Sequence, residues 1–256
     1  PACEVGRLPA SSDSRTVGMK WQKRVAVVVP AFNESEHIRD VVRGMPEWVD
    51  NVIVVDDASC DGTSEIASGV SERVVLIRHP ENRGVGAALR SGYERALHEG
   101  ADVVAVMAGD GQMRVEELAA VVEPVARGVA DYSKGDRTSH PEVDRMPRVR
   151  RAGTFVLTRW TRWLSGYTHL EDAQCGFTAI SSEMLRRLPL ERLTRRYGYP
   201  NDLLVMLGVA GARLVQVPVT PVYEGQRSDL KPWRAVWTHS YVLGRAWFYR
   251  SRPLEP

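Results

Sequence analysis

Asp110 and Gln112 stand one residue apart, directly after the apolar run at 103–107 and just ahead of a helical pattern that opens near Glu116. Two oxygen donors at that spacing can reach one hard cation such as Mg2+ or Mn2+, with a diphosphate filling its remaining positions. Asp-Gly is also ordinary turn chemistry, so the same aspartate can simply cap the next helix. Two earlier runs end the same way. Residues 25–30 lead into Asn33 and Glu34, and residues 51–55 lead into Asp56 and Asp57. One of those two aspartates can hold a nucleotide base or ribose while the other caps the turn. Three strand ends delivering polar groups to one edge of a parallel sheet describe a ligand crevice.

A second group of reactive types lies further on. Glu171 and Asp172 form an acid pair, but adjacent residues of an extended segment point apart, so at most one faces the crevice; Gln174 and the strand behind it favour Asp172. Between Arg145 and Leu170 there is no acidic residue, while Arg145, Arg148, Arg150, Arg151, Arg159 and Arg162 fall inside. Guanidinium groups suit bidentate phosphate recognition, and a solvated helix face remains the default for most of these arginines. Their closeness to carboxylate motifs argues against nucleic acid, whose phosphates those carboxylates repel.

The elements that must position these groups alternate strand and helix: strands at 25–30, 51–55, 74–78 and 103–107, and helices ending near Met45 and over 65–72, 87–98 and 116–127. Short connections of this kind predict an α/β fold, a mostly parallel central sheet with helices on both faces. The second half is less regular, with strands over 131–134, 178–181 and 213–219 and helices over 148–164, 184–188 and 202–210. Residues 1–23 read as an N-terminal tail, and 229–256 as a basic-aromatic helix packed on the domain or at a membrane surface. Cys3, Cys60 and Cys175 show no metal-ligand spacing, and no apolar run approaches the length of a bilayer span. The N-terminus lacks a signal-peptide profile. The expectation is a cytoplasmic protein, soluble or peripheral at the membrane. Gly84-Val85-Gly86 begins like a dinucleotide fingerprint but reaches Leu89 where a third small residue is required.

Taken in order, Val28-Val29-Pro30-Ala31-Phe32-Asn33-Glu34, Val54 to Thr63, Asn82 to Ala88, Gly109-Asp110-Gly111-Gln112, Lys134-Gly135-Asp136-Arg137 and Asp172 to Phe177 resemble the inverting family-two glycosyltransferases of the GT-A fold. Within them, the likeness is to the dolichol-phosphate (polyprenyl-phosphate) mannosyltransferase-like branch, over about 24–228. The resemblance implies transfer of a hexose, mannose by default, from a nucleotide-diphosphate sugar (GDP-mannose or a UDP-hexose) to a polyprenyl phosphate. It places Pro30, Ala31, Asn33, Glu34, Asp56, Asp57, Gly84, Ala108, Gly109 and Asp110 around the donor, and Asp110 and Gln112 on Mg2+ or Mn2+. Arg137, Arg150 and Thr154 fall at the acceptor phosphate, and Asp172, beside the catalytic Asp110 and Arg137, lies under the acceptor. Arg227 and Ser228 belong to a flap over the donor. Ala108 stands where the family carries a further aspartate, so one carboxylate is missing from the metal's surroundings. The alternatives are a hydroxyl acceptor on a glycan or natural product, and a non-catalytic nucleotide-sugar binder.

Overall fold

A computed structural model of the protein describes residues 21–146, 148–196 and 198–222, together with the backbone of Val5–Arg7; the side chains of Arg145 and of residues 148–150 lie outside this set. The strands are β1 (Val5–Arg7), β2 (Val25–Ala31), β3 (Asn51–Asp56), β4 (Val74–Arg78), β5 (Val103–Val106), β6 (Tyr132–Asp136), β7 (Thr178–Ser181) and β8 (Leu214–Pro218). They form one sheet in the order β1-β8-β6-β7-β5-β2-β3-β4. Every pairing is parallel except the two made by β7, which runs against β5 and β6. The expected mostly parallel sheet is therefore present. Val5–Arg7, read from sequence as part of a tail, instead adds an edge strand to β8.

The β-branched runs produce this sheet because successive side chains point to opposite faces and both faces are covered. Ala26, Val28, Ile53, Val104 and Val106 share one core with Leu89 and Tyr93 of α3 (Val85–His98) and Leu203 and Leu207 of α7 (Tyr199–Val209). Val25, Val27, Val29, Val52 and Val103 share the other with Ile38 and Val41 of α1 (Ile38–Arg43) and Leu118 and Val121 of α4 (Leu118–Ala126). Helices α2 (Thr63–Ser68), α5 (Arg148–Ser165) and α6 (Ser182–Arg187) complete the set among the described residues. Because β7 is reversed, Thr178 sits opposite Val106 and Lys134, so the loop that precedes it opens at the edge where β5 and β6 end.

The Gly84-Val85-Gly86 segment is explained by packing. A Cβ on Gly86 would lie 1.9 Å from the Thr194 carbonyl oxygen, and one on Gly84 would lie 2.6 Å from that of Arg195. The start of α3 is pressed against the 194–196 chain, and Ala87 donates its N–H to the Arg195 carbonyl at 3.1 Å. Gly86→Ala is expected to cost about 3 kcal/mol of folding stability, the range of an overpacked core site, because both neighbours are backbone. Urea unfolding measures it. A variant with an unchanged midpoint and a raised donor KM would instead assign Gly86 to ligand contact.

Candidate active site

The tails of β2 and β3 are tied to each other before any ligand arrives. Backbone N–H groups of Asn33, Glu34 and Ser35 donate to Ser59 Oγ (2.9 Å), Thr63 Oγ1 (2.9 Å) and Asp61 Oδ2 (3.0 Å). Asn33 Oδ1 in turn accepts from the Cys60 N–H at 3.1 Å. Asn33 (φ 57°) and Ala58 (φ 68°) are the non-glycine residues with left-handed backbones among those described. Both strained positions sit at this edge, as strain tends to in ligand sites.

Asp56, expected at the donor, points into the turn that follows β3. It is fully buried, with Oδ1 accepting from the Ser59 N–H at 2.8 Å and Oδ2 from the Ser64 hydroxyl. An inward carboxylate with those partners fixes the turn. Asp57 accepts from the backbone of Arg83 (2.9 Å) and Gly84 (2.6 Å), and its Oδ1 lies 2.6 Å from His79 Nδ1, whose Nε2 is 2.9 Å from Ser91 Oγ. Asp57 thus anchors the Arg83–Gly84 loop beside a groove of about 430 Å³ lined by Ala58, Ser59, Arg78, His79 and Pro80. Arg78, the last residue of β4, and His79, which follows it, line this groove without having been expected at a site.

At the end of β5, Gly109 donates its N–H to the Pro30 carbonyl (3.2 Å), which draws the β2 and β5 tails together; a side chain there would press on Ala31 and Ile38. Asp110 and Gln112 are half-buried, with the Gln112 N–H on Asp110 Oδ1 at 3.0 Å. Burial, then the Asp110 and Asp61 carboxylates, push Glu34 up to about 7. Glu34, Asp61 and Asp110 therefore make one electronegative edge, at which Ala108 contributes a methyl group. Between about pH 4.5 and 7 the folded protein holds a proton on Glu34 that the unfolded chain has released, so stability falls as pH rises through that window. Glu34→Gln is expected to flatten this slope in metal-free thermal melts and to raise the melting temperature above pH 7. An unaltered slope would show that neither burial nor the neighbouring carboxylates raise Glu34 in the folded protein.

A third group of expected site residues lies beneath α5. Asp172 is fully buried and holds one edge of the Arg137 guanidinium as a bidentate fork, Nε to Oδ2 at 2.7 Å and Nη2 to Oδ1 at 3.1 Å, while Oδ1 also accepts from the N–H groups of Gln174 (2.9 Å) and Cys175 (3.1 Å). Burial pushes the Asp172 carboxyl up, but the Arg137 charge and hydrogen bonds, Lys134 and the Gln174 N–H together hold it below the ordinary carboxylate range. Lys134, also fully buried, donates to the Cys175 carbonyl, and burial lowers its pKa. Thr154 is turned inward on α5, on the same buried side as Thr158, whose hydroxyl accepts the Ala173 N–H at 3.1 Å. Arg150 is placed in α5 by its backbone, but its side chain lies outside the described residues, as do Arg227, Ser228 and all of 229–256. Among the described residues, no helix is long and apolar enough to cross a membrane.

A mostly parallel eight-stranded sheet covered by helices, with a carboxylate group after β5 and an aspartate-held arginine after β6 at one sheet edge, is the architecture of the GT-A fold. Glucosyl-3-phosphoglycerate synthase from Mycobacterium tuberculosis superposes with a TM-score of 0.68 at 19% identity, over 96% of this chain and 88% of that one. The sequence profile described as glycosyl transferase family 2 matches residues 26–194, and the chain belongs to that family. It is 29% identical to the UDP-N-acetylglucosamine–dolichyl-phosphate N-acetylglucosaminyltransferase of Methanococcus voltae, over 78% of this chain and 86% of that protein. To the undecaprenyl-phosphate mannosyltransferase of Micrococcus luteus it is 30% identical, over 77% and 83%.

Proposed function

We propose that this glycosyltransferase moves a hexose, with inversion, from a nucleotide-diphosphate sugar to a polyprenyl phosphate. The observation that carries the reading is that Asp110 and the Arg137 held by buried Asp172 follow β5 and β6, which both run against β7 and so end at the same edge of the sheet. Both relatives named above act on a lipid phosphate by their names, which supports the same acceptor class here. Their sugars differ, so GDP-mannose, favoured by the family branch, and UDP-linked hexoses head the donor panel.

The donor's base would lie in the groove at Ala58, Arg78 and His79, beside the loop that Asp57 anchors, and its diphosphate would reach Asp110. Divalent metal fits this edge. Asp110 and Gln112 offer hard oxygen donors, and among the described residues no group of three or more His, Cys, Asp or Glu converges to enclose an ion by itself, at this edge or any other. That donor set suits an ion such as Mg2+ or Mn2+ that keeps waters and shares its shell with substrate phosphates. When bound, the ion would neutralise the negative charge that grows on the departing diphosphate.

The chain's own part is orientation. Arg137, aimed by Asp172, holds the acceptor phosphate in line with the anomeric carbon; the phosphate oxygen forms the new bond to that carbon as the bond to the diphosphate oxygen breaks. A phosphate monoester has its second pKa near about 6 and is already a dianion for the most part at neutral pH, so no general base is required. Asp172 then serves as a positioning residue. The test is a panel of GDP- and UDP-sugars with Mg2+ or Mn2+ and a lipid extract as acceptor, followed by counting of label in the lipid phase. Donor binding without turnover would instead support a nucleotide-sugar binder, the reading that Ala108 favours.

A further inference from the structure

Helix α5 wears its amphipathicity inside out. Its buried side carries hydroxyls: Thr154, Thr158, Thr161 and Ser165 are all at most 6% exposed, with Thr161 and Ser165 bonded to carbonyls one turn back. Leu164 alone joins Val205 and Val209 of α7 in a small apolar contact. The outward side carries the large apolar groups. Of the six exposed large hydrophobic residues among those described, four are on α5: Phe155 (68%), Trp163 (58%), Val156 (53%) and Trp160 (51%). The two tryptophan rings stand edge to face with centroids 6.4 Å apart. A helix of a soluble domain places these groups toward its core.

Charge decides what this face meets. Arg151 and Arg159 are exposed beside the aromatic groups, and no acid occurs between Arg145 and Leu170. The flanking acids are already occupied, Asp144 by Arg151 (3.5 Å) and Glu171 by Arg162 (3.2 Å). An aromatic stripe edged by arginines, on a helix too polar to span a bilayer, matches the headgroup boundary of an anionic membrane, where the rings enter the acyl region and the guanidinium groups meet lipid phosphates. We infer that α5 is a membrane-docking helix and that its partner is an anionic bilayer surface. Resting on the lipid-phosphate reading, the inference also gives the docking a purpose. The inner face of the same helix holds the Ala173 N–H through Thr158, so a docked α5 keeps the Asp172–Arg137 fork near headgroup level.

The experiment uses the full chain with vesicles of phosphatidylcholine alone or mixed equally with phosphatidylglycerol, read by co-sedimentation. Binding to the mixed vesicles only is expected, weakening with salt. Trp160→Ser with Trp163→Ser lowers that binding about tenfold or more, and Arg151→Gln with Arg159→Gln removes most of its salt dependence. Both pairs keep transfer to detergent-dispersed lipid phosphate. Wild-type protein that stays in the supernatant overturns the inference, as do tryptophan variants that sediment like wild type, which would put the membrane contact elsewhere in the chain. Self-association lost in the tryptophan pair would assign the face to a second copy and overturn it too. Vesicle binding without any transfer in detergent removes the lipid-phosphate reading and leaves the docking surface standing; transfer without vesicle binding does the reverse.

Discussion

Asp110→Asn is expected to lower sugar transfer about a thousandfold, the equivalent of about 4 kcal/mol of transition-state stabilisation, while leaving the fold intact. The substitution isolates charge. An asparagine retains the oxygen that accepts the Gln112 N–H, so the turn is preserved, and the position is half-buried, where a neutral polar replacement changes stability by less than about 1 kcal/mol. What disappears is the carboxylate at the point where the diphosphate departs. Its loss also relieves Glu34, whose pKa should move back toward the ordinary carboxylate range, an independent sign that the two groups face one another. Initial rates at saturating donor and Mn2+ give the answer, with melting temperature as the control. Full activity would reduce residues 109–113 to a turn. The reciprocal change, Ala108→Asp, adds a carboxylate at this edge and is expected to lower the metal concentration needed for half-maximal rate.

Strand positions were legible from apolar, mostly β-branched runs: β2 to β8 all fall within a residue or two of the spans expected for them. The helix expected to end near Met45 begins only at Ile38. Residues 33–35 spend their N–H groups on Ser59, Thr63 and Asp61, partners about 26 to 29 residues away that no local pattern reveals. β1 was missed for a related reason, since three residues carry no measurable periodicity and their partner strand lies at the other end of the domain. In the site, residue types gave the chemistry of the edge but not the direction of each side chain. Asp56 and Asp57 look equivalent in sequence; the fold turns the first into the core and sets the second on the Arg83–Gly84 loop. Lys134 reads as an ordinary strand residue until burial against the Cys175 carbonyl makes it part of the support for Asp172.

The second large effect is expected at Arg137, and the structure changes how it should be tested. Asp172→Asn would ordinarily ask whether a base is needed, but it also strips a mostly buried guanidinium of its counter-charge. Breaking a buried pair from one side costs about 3–5 kcal/mol, enough to confuse lost folding with lost chemistry. Arg137→Lys avoids this because it keeps the positive charge beside Asp172 and removes only the planar fork. The acceptor KM should rise about tenfold and kcat/KM for lipid phosphate fall about a hundredfold, with donor affinity unchanged. The pH profile of the wild type supplies the matching control. With a phosphate acceptor, kcat/KM climbs through about pH 6 as the phosphate gains its second charge, and this step persists in Glu34→Gln, which separates it from the Glu34 ionisation at about 7. Asp172, held below the ordinary carboxylate range by Arg137, adds no step in that interval. Its stabilising charge is present at neutral pH and is lost only as pH falls through its depressed folded value. A hydroxyl acceptor has no ionisation near pH 6 and must surrender its proton to a base. A profile without the phosphate step, combined with an unchanged acceptor KM in Arg137→Lys, would therefore move the acceptor to the hydroxyl class and make Asp172 the base.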